Sequence, residues 1–293
     1  MIRLVPLDGP FGCAAYGVDL AAGVDDDQFR TLSQALYQSR VLVLKGQTCD
    51  KDAYLRFGRQ WGVPIQHVVD TARMPGYPDL LEIGNMSERR RRDALARNSA
   101  AFWHTDQSYD AEVATATMLY ARKVPGQGGE TRLLDMKAAY DDLDGDTRRR
   151  IDGLVAVHFY GATSGRDGEL PTPKLSDPQA ANVPPVPHPL VRPHSVTGER
   201  VLYAIGGTAF DIEGMPTDEA DVLIRTLKAH CVQDKYIYDH KYEVGDVAIW
   251  DTQMTMHSAT PIGAPNGPGT ERLLWRISVR GVPGIYAQAA AAA

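Results

Sequence analysis

His104 and Asp106 stand two residues apart in the segment Phe102-Trp103-His104-Thr105-Asp106. In extended backbone, residues i and i+2 face the same side, so an imidazole and a carboxylate at this spacing can grip one ion. His257, far along the chain and just after the strand-like run Gly245–Asp251, offers a second imidazole. Two histidines and a carboxylate on one face of an octahedron leave three positions open, which is the arrangement non-haem iron(II) oxygenases use. A lone His-x-Asp arises by chance in many proteins, and ordinary hydrogen-bonded residues are the plain alternative. His158, in an apolar strand pattern without carboxylate neighbours, exemplifies that alternative.

A second group strengthens the reading. Arg272, Arg276 and Arg280 recur every fourth residue in Arg272-Leu-Leu-Trp-Arg276-Ile-Ser-Val-Arg280, with mainly apolar residues between them. In a strand all three would point the same way. A guanidinium buried among apolar neighbours needs an anion, because leaving it unpaired is prohibitive. A dicarboxylate co-substrate supplies one, and the guanidinium fork matches a carboxylate in bidentate fashion. Pairing with an Asp or Glu of the chain is the competing reading.

The elements that must position these residues read as mainly β with flanking helices. An amphipathic helix is expected over 25–39, capped by Asp25, followed by a buried strand Val41–Leu44 and a helix around Lys51–Gly58. Further strands are expected at Thr115–Ala121, Leu154–Tyr160, Arg200–Ala204, Tyr236–Tyr242, Asp246–Trp250 and Leu274–Val279, with a helix over Thr217–Cys231. Many short strands between Gly/Pro turns favour a barrel or jelly roll. One domain over 1–287 is expected, with long insertions near 84–101 and 161–193 and a disordered tail at 288–293. The first insertion is strongly basic, and its run Arg89–Arg92 reads either as a lid over an anionic substrate or as a solvated charge run. Prolines and glycines in the second are expected to prevent regular structure.

Composition narrows the class. With 31 Lys and Arg against 37 Asp and Glu, the net charge of −6 argues against a nucleic-acid binder. No run of about 18 apolar residues can span a membrane. The N-terminus lacks the apolar core of a secretory signal. Cys13, Cys49 and Cys231 are odd in number and far apart, neither a disulfide framework nor a zinc cluster. A cytoplasmic enzyme acting on a small molecule is therefore expected.

Several segments together resemble the taurine dioxygenase and phenoxyacetate (2,4-D) dioxygenase family of iron(II)- and 2-oxoglutarate-dependent oxygenases. In family order they are VLVLKGQ, FGRQWGVP, FWHTDQSY, VPGQGGETRLLDMKAAYDDL, HPLVRPHSVTGERVLY, GDVAIWDTQMTMH and RLLWRISVRG, covering nearly the whole chain. GGET and WDT stand where the family more often has GGDT and WDN. The resemblance implies a double-stranded β-helix of cupin-like type, with His104, Asp106 and His257 holding Fe(II). It implies that Arg276 binds the distal carboxylate of 2-oxoglutarate with help from Thr131, and that Arg272 lies near the iron-chelating carboxylate. With O2 the products from the co-substrate would be succinate and CO2, and the substrate would be hydroxylated, with C–heteroatom cleavage following where the attacked carbon bears a heteroatom. His67 and Asn85 match substrate-side positions of the family. Phe102 and Tyr109 bracket the His-x-Asp motif and are candidate pocket walls. Ala100 and Ala101 replace polar residues of taurine-type enzymes, so taurine itself is not expected. Family members often form homodimers or homotetramers, and either is expected here.

Two other classes use the same three ligands. A metal-dependent hydrolase on a cupin-like barrel would activate water with them, but has no use for Arg272 and Arg276 at this spacing. A non-catalytic binding barrel would find an open iron site a liability.

Overall fold

Val41–Leu44 shows how this sequence layers itself. Leu42 and Leu44 join a core with Phe29, Leu32, Leu36 and Trp61, while Val41 and Val43 turn the other way, toward Leu133 and Trp250. Successive strand residues point to opposite faces, so a strand apolar at every position must be covered on both. The same division runs through the neighbouring strands: Met118, Tyr120, Val247 and Ile249 face the helices, and Leu119, Ala121, Ala248 and Trp250 face inward. The structure, a computed structural model, describes residues 1–163 and 174–286.

Among the described residues the larger sheet has nine strands. Arg3–Pro6, Cys13–Tyr16, Val41–Leu44, Val247–Asp251, Ala114–Lys123, Leu273–Arg280, Tyr77–Gly84 and Arg73–Met74 follow one another across it, and Val63–Pro64 pairs with Leu273–Arg280. Helices Asp26–Ser39 and Lys51–Trp61 cover its outer face. The first begins where Asp25 caps it, with Asp25 and Gln28 forming a reciprocal capping box. A smaller sheet, in the order Ile237–His240, Thr131–Asp135, Thr255–Ala259, packs on the inner face. Leu134 and Met256, on its far side, join a second core with Leu202, Ile212 and the helix Thr217–Cys231, which contributes Leu223, Ile224 and Leu227. The chain is thus mainly β, two facing sheets with helices packed outside the larger one and a second core beyond the smaller one.

Two strands of the smaller sheet were not legible. Thr131–Asp135 and Thr255–Ala259 mix polar and apolar residues because their faces serve different layers. Segment 84–101 is not plain loop, since it holds two short helices, Glu88–Arg92 and Ala94–Arg97, capped by Ser87 and Asp93. Residues 161–193 also carry more structure than expected: helix Asp177–Ala181 and strands Val186–Pro189 and Val191–Pro193. Pro187 and Pro189 are tolerated because Val186–Pro189 is an edge strand, where a missing N–H faces no partner. Part of that segment (164–173) and the expected tail at 288–293 lie outside the described residues. Cys13, Cys49 and Cys231 are free thiols. Among the described residues no helix is long and apolar enough to cross a membrane.

His158 takes the ordinary role its context suggested. It is fully buried at the end of strand Val155–His158, with Nδ1 2.9 Å from the Thr208 hydroxyl. Burial pushes its imidazole down to about 3, whereas the unfolded chain takes up that proton near 6.5. The unfolded state therefore binds more protons below pH 6.5, so this contribution to stability is complete above that pH and is lost as the pH falls toward 3. Moving from pH 7.5 to pH 5 should cost about 2 kcal/mol through this residue. Urea denaturation at the two pH values should show the loss in the native chain and a shallower dependence in His158→Gln; an identical slope in the variant contradicts it.

Candidate metal centre and its cavity

Two backbone hydrogen bonds bring distant segments together. His104 N–H donates to His257 O (2.9 Å), and His257 N–H donates to His104 O (2.8 Å). This is an isolated antiparallel bridge rather than the strand the His-x-Asp spacing suggested. Beyond it the chain turns, with Gln107 in the left-handed region at φ 51°. Gly207, at φ +78°, lets the opposing loop pass: a Cβ there would lie 2.9 Å from His104 Cβ and from the Phe102 ring.

The three candidate ligands converge. Asp106 Oδ1 lies 3.8 Å from His104 Nε2, and Asp106 Oδ2 lies 3.7 Å from His257 Nε2. One donor atom from each residue falls within 4.8 Å of the others. His104 Nδ1 is 2.8 Å from the Phe102 carbonyl. A carbonyl only accepts, so Nδ1 carries the proton and the Nε2 lone pair faces Asp106. Burial pushes His257 down to about 3, helped by His104 beside it, so it is neutral near pH 7. Burial alone would raise Asp106, but the Arg276 guanidinium above all, with the Thr117 hydroxyl, holds it at about 2. Asp106 Oδ2 and His257 Nδ1 are buried without hydrogen-bond partners among the described residues. Such a carboxylate oxygen is costly unless something satisfies it, and a divalent cation between two neutral imidazoles and a carboxylate does.

The two inner arginines differ in what they meet. Arg276 Nη2 lies 2.9 Å from Asp106 Oδ1 and also reaches Ser278 Oγ (2.9 Å) and Gln107 Oε1 (3.3 Å). Arg272 is only 4% exposed, donates Nε–H to Gly129 O (3.0 Å), and makes no ion pair among the described residues. Burial pulls its pKa below the usual range. Gly129 makes the approach possible, since a Cβ there would sit 2.8 Å from Arg272 Cδ. The Arg272 guanidinium lies 5.9 Å from the Tyr242 ring centre, and the Tyr242 hydroxyl is 2.8 Å from Thr131 Oγ1. Thr131 therefore belongs with Arg272, not with Arg276 as the resemblance implied. Nor do the three arginines share one face. Arg272 and Arg276 both line one cavity, as the alternation implied, but Arg280, at the exposed end of the strand, pairs with Glu112 at the surface (3.1 Å).

A cavity of about 620 Å³ opens beside these groups. Phe102, Tyr109 and His67 all line it. The Phe102 ring centre is 4.7 Å from that of His104, and Tyr109 meets Tyr160 edge-on at 5.1 Å. His67 accepts from Val69 N–H through Nδ1 (3.0 Å), and burial together with Arg276 pushes it down to about 4. Asn85 is a correction. It is fully buried away from the cavity lining, donating to Gly263 O (3.1 Å) and Thr270 O (2.8 Å) and accepting from Arg272 N–H (2.8 Å). All its amide atoms serve the loop that carries Arg272. Asn85→Ala should cost about 2–3 kcal/mol, the desolvation of the groups left unpaired, read as a lowered urea midpoint. An unchanged midpoint contradicts this role.

Tyr160, Thr208 and Tyr242 were not singled out from the sequence. Tyr160 and Thr208 come from segments without a motif, and only the fold brings them to the cavity. Tyr242 carried one usable signal, its place two residues beyond His240 in an expected strand, where both side chains share a side.

Residues 3–278 match the family model described as taurine catabolism dioxygenase TauD, TfdA family. The chain is 33% identical over 247 residues to an alpha-ketoglutarate-dependent 2,4-dichlorophenoxyacetate dioxygenase of Burkholderia sp., covering 81% of this chain and 82% of that protein. A protein of the same description from Cupriavidus pinatubonensis is 31% identical over 261 residues, covering 86% and 90%. The solved structure of AAD-2 in complex with Mn(II) and N-oxalylglycine is similar with a TM-score of 0.78 at 26% identity, covering 96% of this chain and 98% of that one.

Proposed function

Given that the chain belongs to the TauD/TfdA family and is an iron(II)- and 2-oxoglutarate-dependent dioxygenase, we propose that it hydroxylates a small anionic organic substrate at a centre held by His104, Asp106 and His257. The facing sheets are read as a double-stranded β-helix with this centre between them. Bound iron, with 2-oxoglutarate and O2, supplies the oxidising chemistry and releases succinate and CO2. The chain's own residues do the rest.

The observation that carries the reading is Arg272, a buried guanidinium without an ion-pair partner among the described residues, in a cavity also lined by His104 and Asp106, with which His257 converges. We assign it the distal carboxylate of 2-oxoglutarate, with Thr131 and Tyr242 supporting that end. Arg276, beside Asp106, is placed to orient an anion close to the metal. His67, kept neutral by burial, can donate or accept a hydrogen bond without adding charge. Phe102 and Tyr109 exclude water from one wall. The relatives' named substrate, 2,4-dichlorophenoxyacetate, is a carboxylate on an apolar body, and a cavity with aromatic walls and an inner arginine suits that class. Where the attacked carbon carries an ether oxygen, hydroxylation leads to cleavage of that bond.

A screen of aryloxyalkanoates, alkyl sulfates and alkylsulfonates for succinate formation above the substrate-free rate tests the proposal. At least one aryloxyalkanoate should stimulate it; stimulation by uncharged analogues alone contradicts the anionic class. A homodimer or homotetramer and a cytoplasmic location belong to the same reading, the second supported by three thiols left unpaired.

A further inference from the structure

Resting on that reading, we infer that the substrate is a dianion, an apolar body with one anionic group for Arg276 and a second, at the cavity mouth, for Arg89 and Arg73. Among the described residues six arginines line the cavity (Arg73, Arg89, Arg90, Arg97, Arg272 and Arg276), against two carboxylates, Glu82 and Asp106. Iron(II) and dianionic 2-oxoglutarate carry equal and opposite charge, so the positive excess persists when both are bound. A cleft lined by one sign of charge concentrates the opposite sign.

The six are not equivalent. Arg90 Nη1 donates to Glu82 O (2.8 Å), while Arg97 donates to Arg90 O (2.7 Å) and Ile262 O (3.0 Å). These two stitch the short-helix segment to its surroundings. Arg272 serves the co-substrate and Arg276 the metal side. Arg73 spends Nε on His67 O (2.9 Å), with Nη1 no nearer than 3.5 Å to the neutral Gln66 amide. The Arg89 guanidinium makes no hydrogen bond or ion pair among the described residues. Its neighbours in the basic run are engaged outside the cavity, Arg91 with Met86 O and Arg92 with Glu88. Of the four, Arg89 alone both lines the cavity and keeps its donors free of partners among the described residues.

Adjacency orders the groups along the cavity. Arg276, paired with Asp106, lies near Tyr109, Tyr109 meets half-buried Tyr160 edge-on at 5.1 Å, and exposed Arg89 lies beside Tyr160. A ligand with one anion on Arg276 passes the Tyr109–Tyr160 pair before its other end reaches Arg89. A monoanion would leave the outer cations to water.

Calorimetric titration of the anaerobic holoenzyme, loaded with Fe(II) and 2-oxoglutarate, tests this with phenoxyacetate, 3-carboxyphenoxyacetate and 4-carboxyphenoxyacetate as probes. At least one dicarboxylate should bind with a Kd about tenfold lower than phenoxyacetate, the effect of one partly desolvated charged hydrogen bond, and added salt should erode the preference. Arg89→Gln should narrow it about five- to tenfold, and Arg92→Gln, outside the cavity, should leave it intact. Equal or weaker binding of both dicarboxylates, or a preference surviving Arg89→Gln and Arg73→Gln alike, overturns the inference. Failure of the holoenzyme to develop its visible absorption band would instead refute the reading of the iron centre.

Discussion

Asp106→Ala is expected to abolish iron binding and, with it, 2-oxoglutarate-dependent turnover. Altering residues that merely support a metal ligand already costs roughly 10–100-fold, and losing the single carboxylate of a three-residue site should exceed that. Asp106 has a second partner, Arg276 at 2.9 Å, so the variant also strands a largely buried guanidinium. Breaking such a pair typically costs about 3–5 kcal/mol, and lowered stability is expected too. The two roles separate in the measurement. If Asp106 served only as the partner of Arg276, the variant would be less stable yet bind iron at native stoichiometry. Metal content after anaerobic loading and desalting, measured beside thermal unfolding, distinguishes them.

Arg272→Leu should raise the KM for 2-oxoglutarate roughly 10–100-fold, the worth of a charged, bidentate carboxylate contact. Its sign on stability is the informative part. Without an anion, Arg272 is a buried cation whose guanidinium, among the described residues, hydrogen-bonds only to Gly129 O, and replacing it with an apolar side chain should leave the ligand-free Tm unchanged or higher. High concentrations of 2-oxoglutarate should then stabilise the native chain but not the variant. Arg276→Leu should act differently, weakening substrate binding and the metal site before it affects the co-substrate. A larger rise in the 2-oxoglutarate KM for Arg276→Leu than for Arg272→Leu would restore the assignment that the family resemblance implied.

That reversal shows where reading residues in one dimension ends. The ligand triplet was legible because its chemistry is carried by residue types, and its spacing survived even though His104 and Asp106 lie on a bridge and a turn rather than in a strand. The helices Asp26–Ser39 and Thr217–Cys231 were legible because apolar periodicity and capping are local. The partners of Arg272 and Arg276 are not local. Both line the cavity, as the alternation implied, but Asp106 reaches Arg276 from one distant segment and Tyr242 joins Thr131 to Arg272 from another. Asn85 failed as a pocket residue for a related reason: matching a family position says nothing about whether an amide faces the cavity or, as here, a loop backbone.

The most direct test is anaerobic. Adding Fe(II) and then 2-oxoglutarate to the native protein should produce a visible metal-to-ligand charge-transfer band that saturates near one iron per chain, with the Asp106→Ala protein staying colourless. A colourless native sample, or a band of full intensity in the variant, would contradict a centre built from His104, Asp106 and His257.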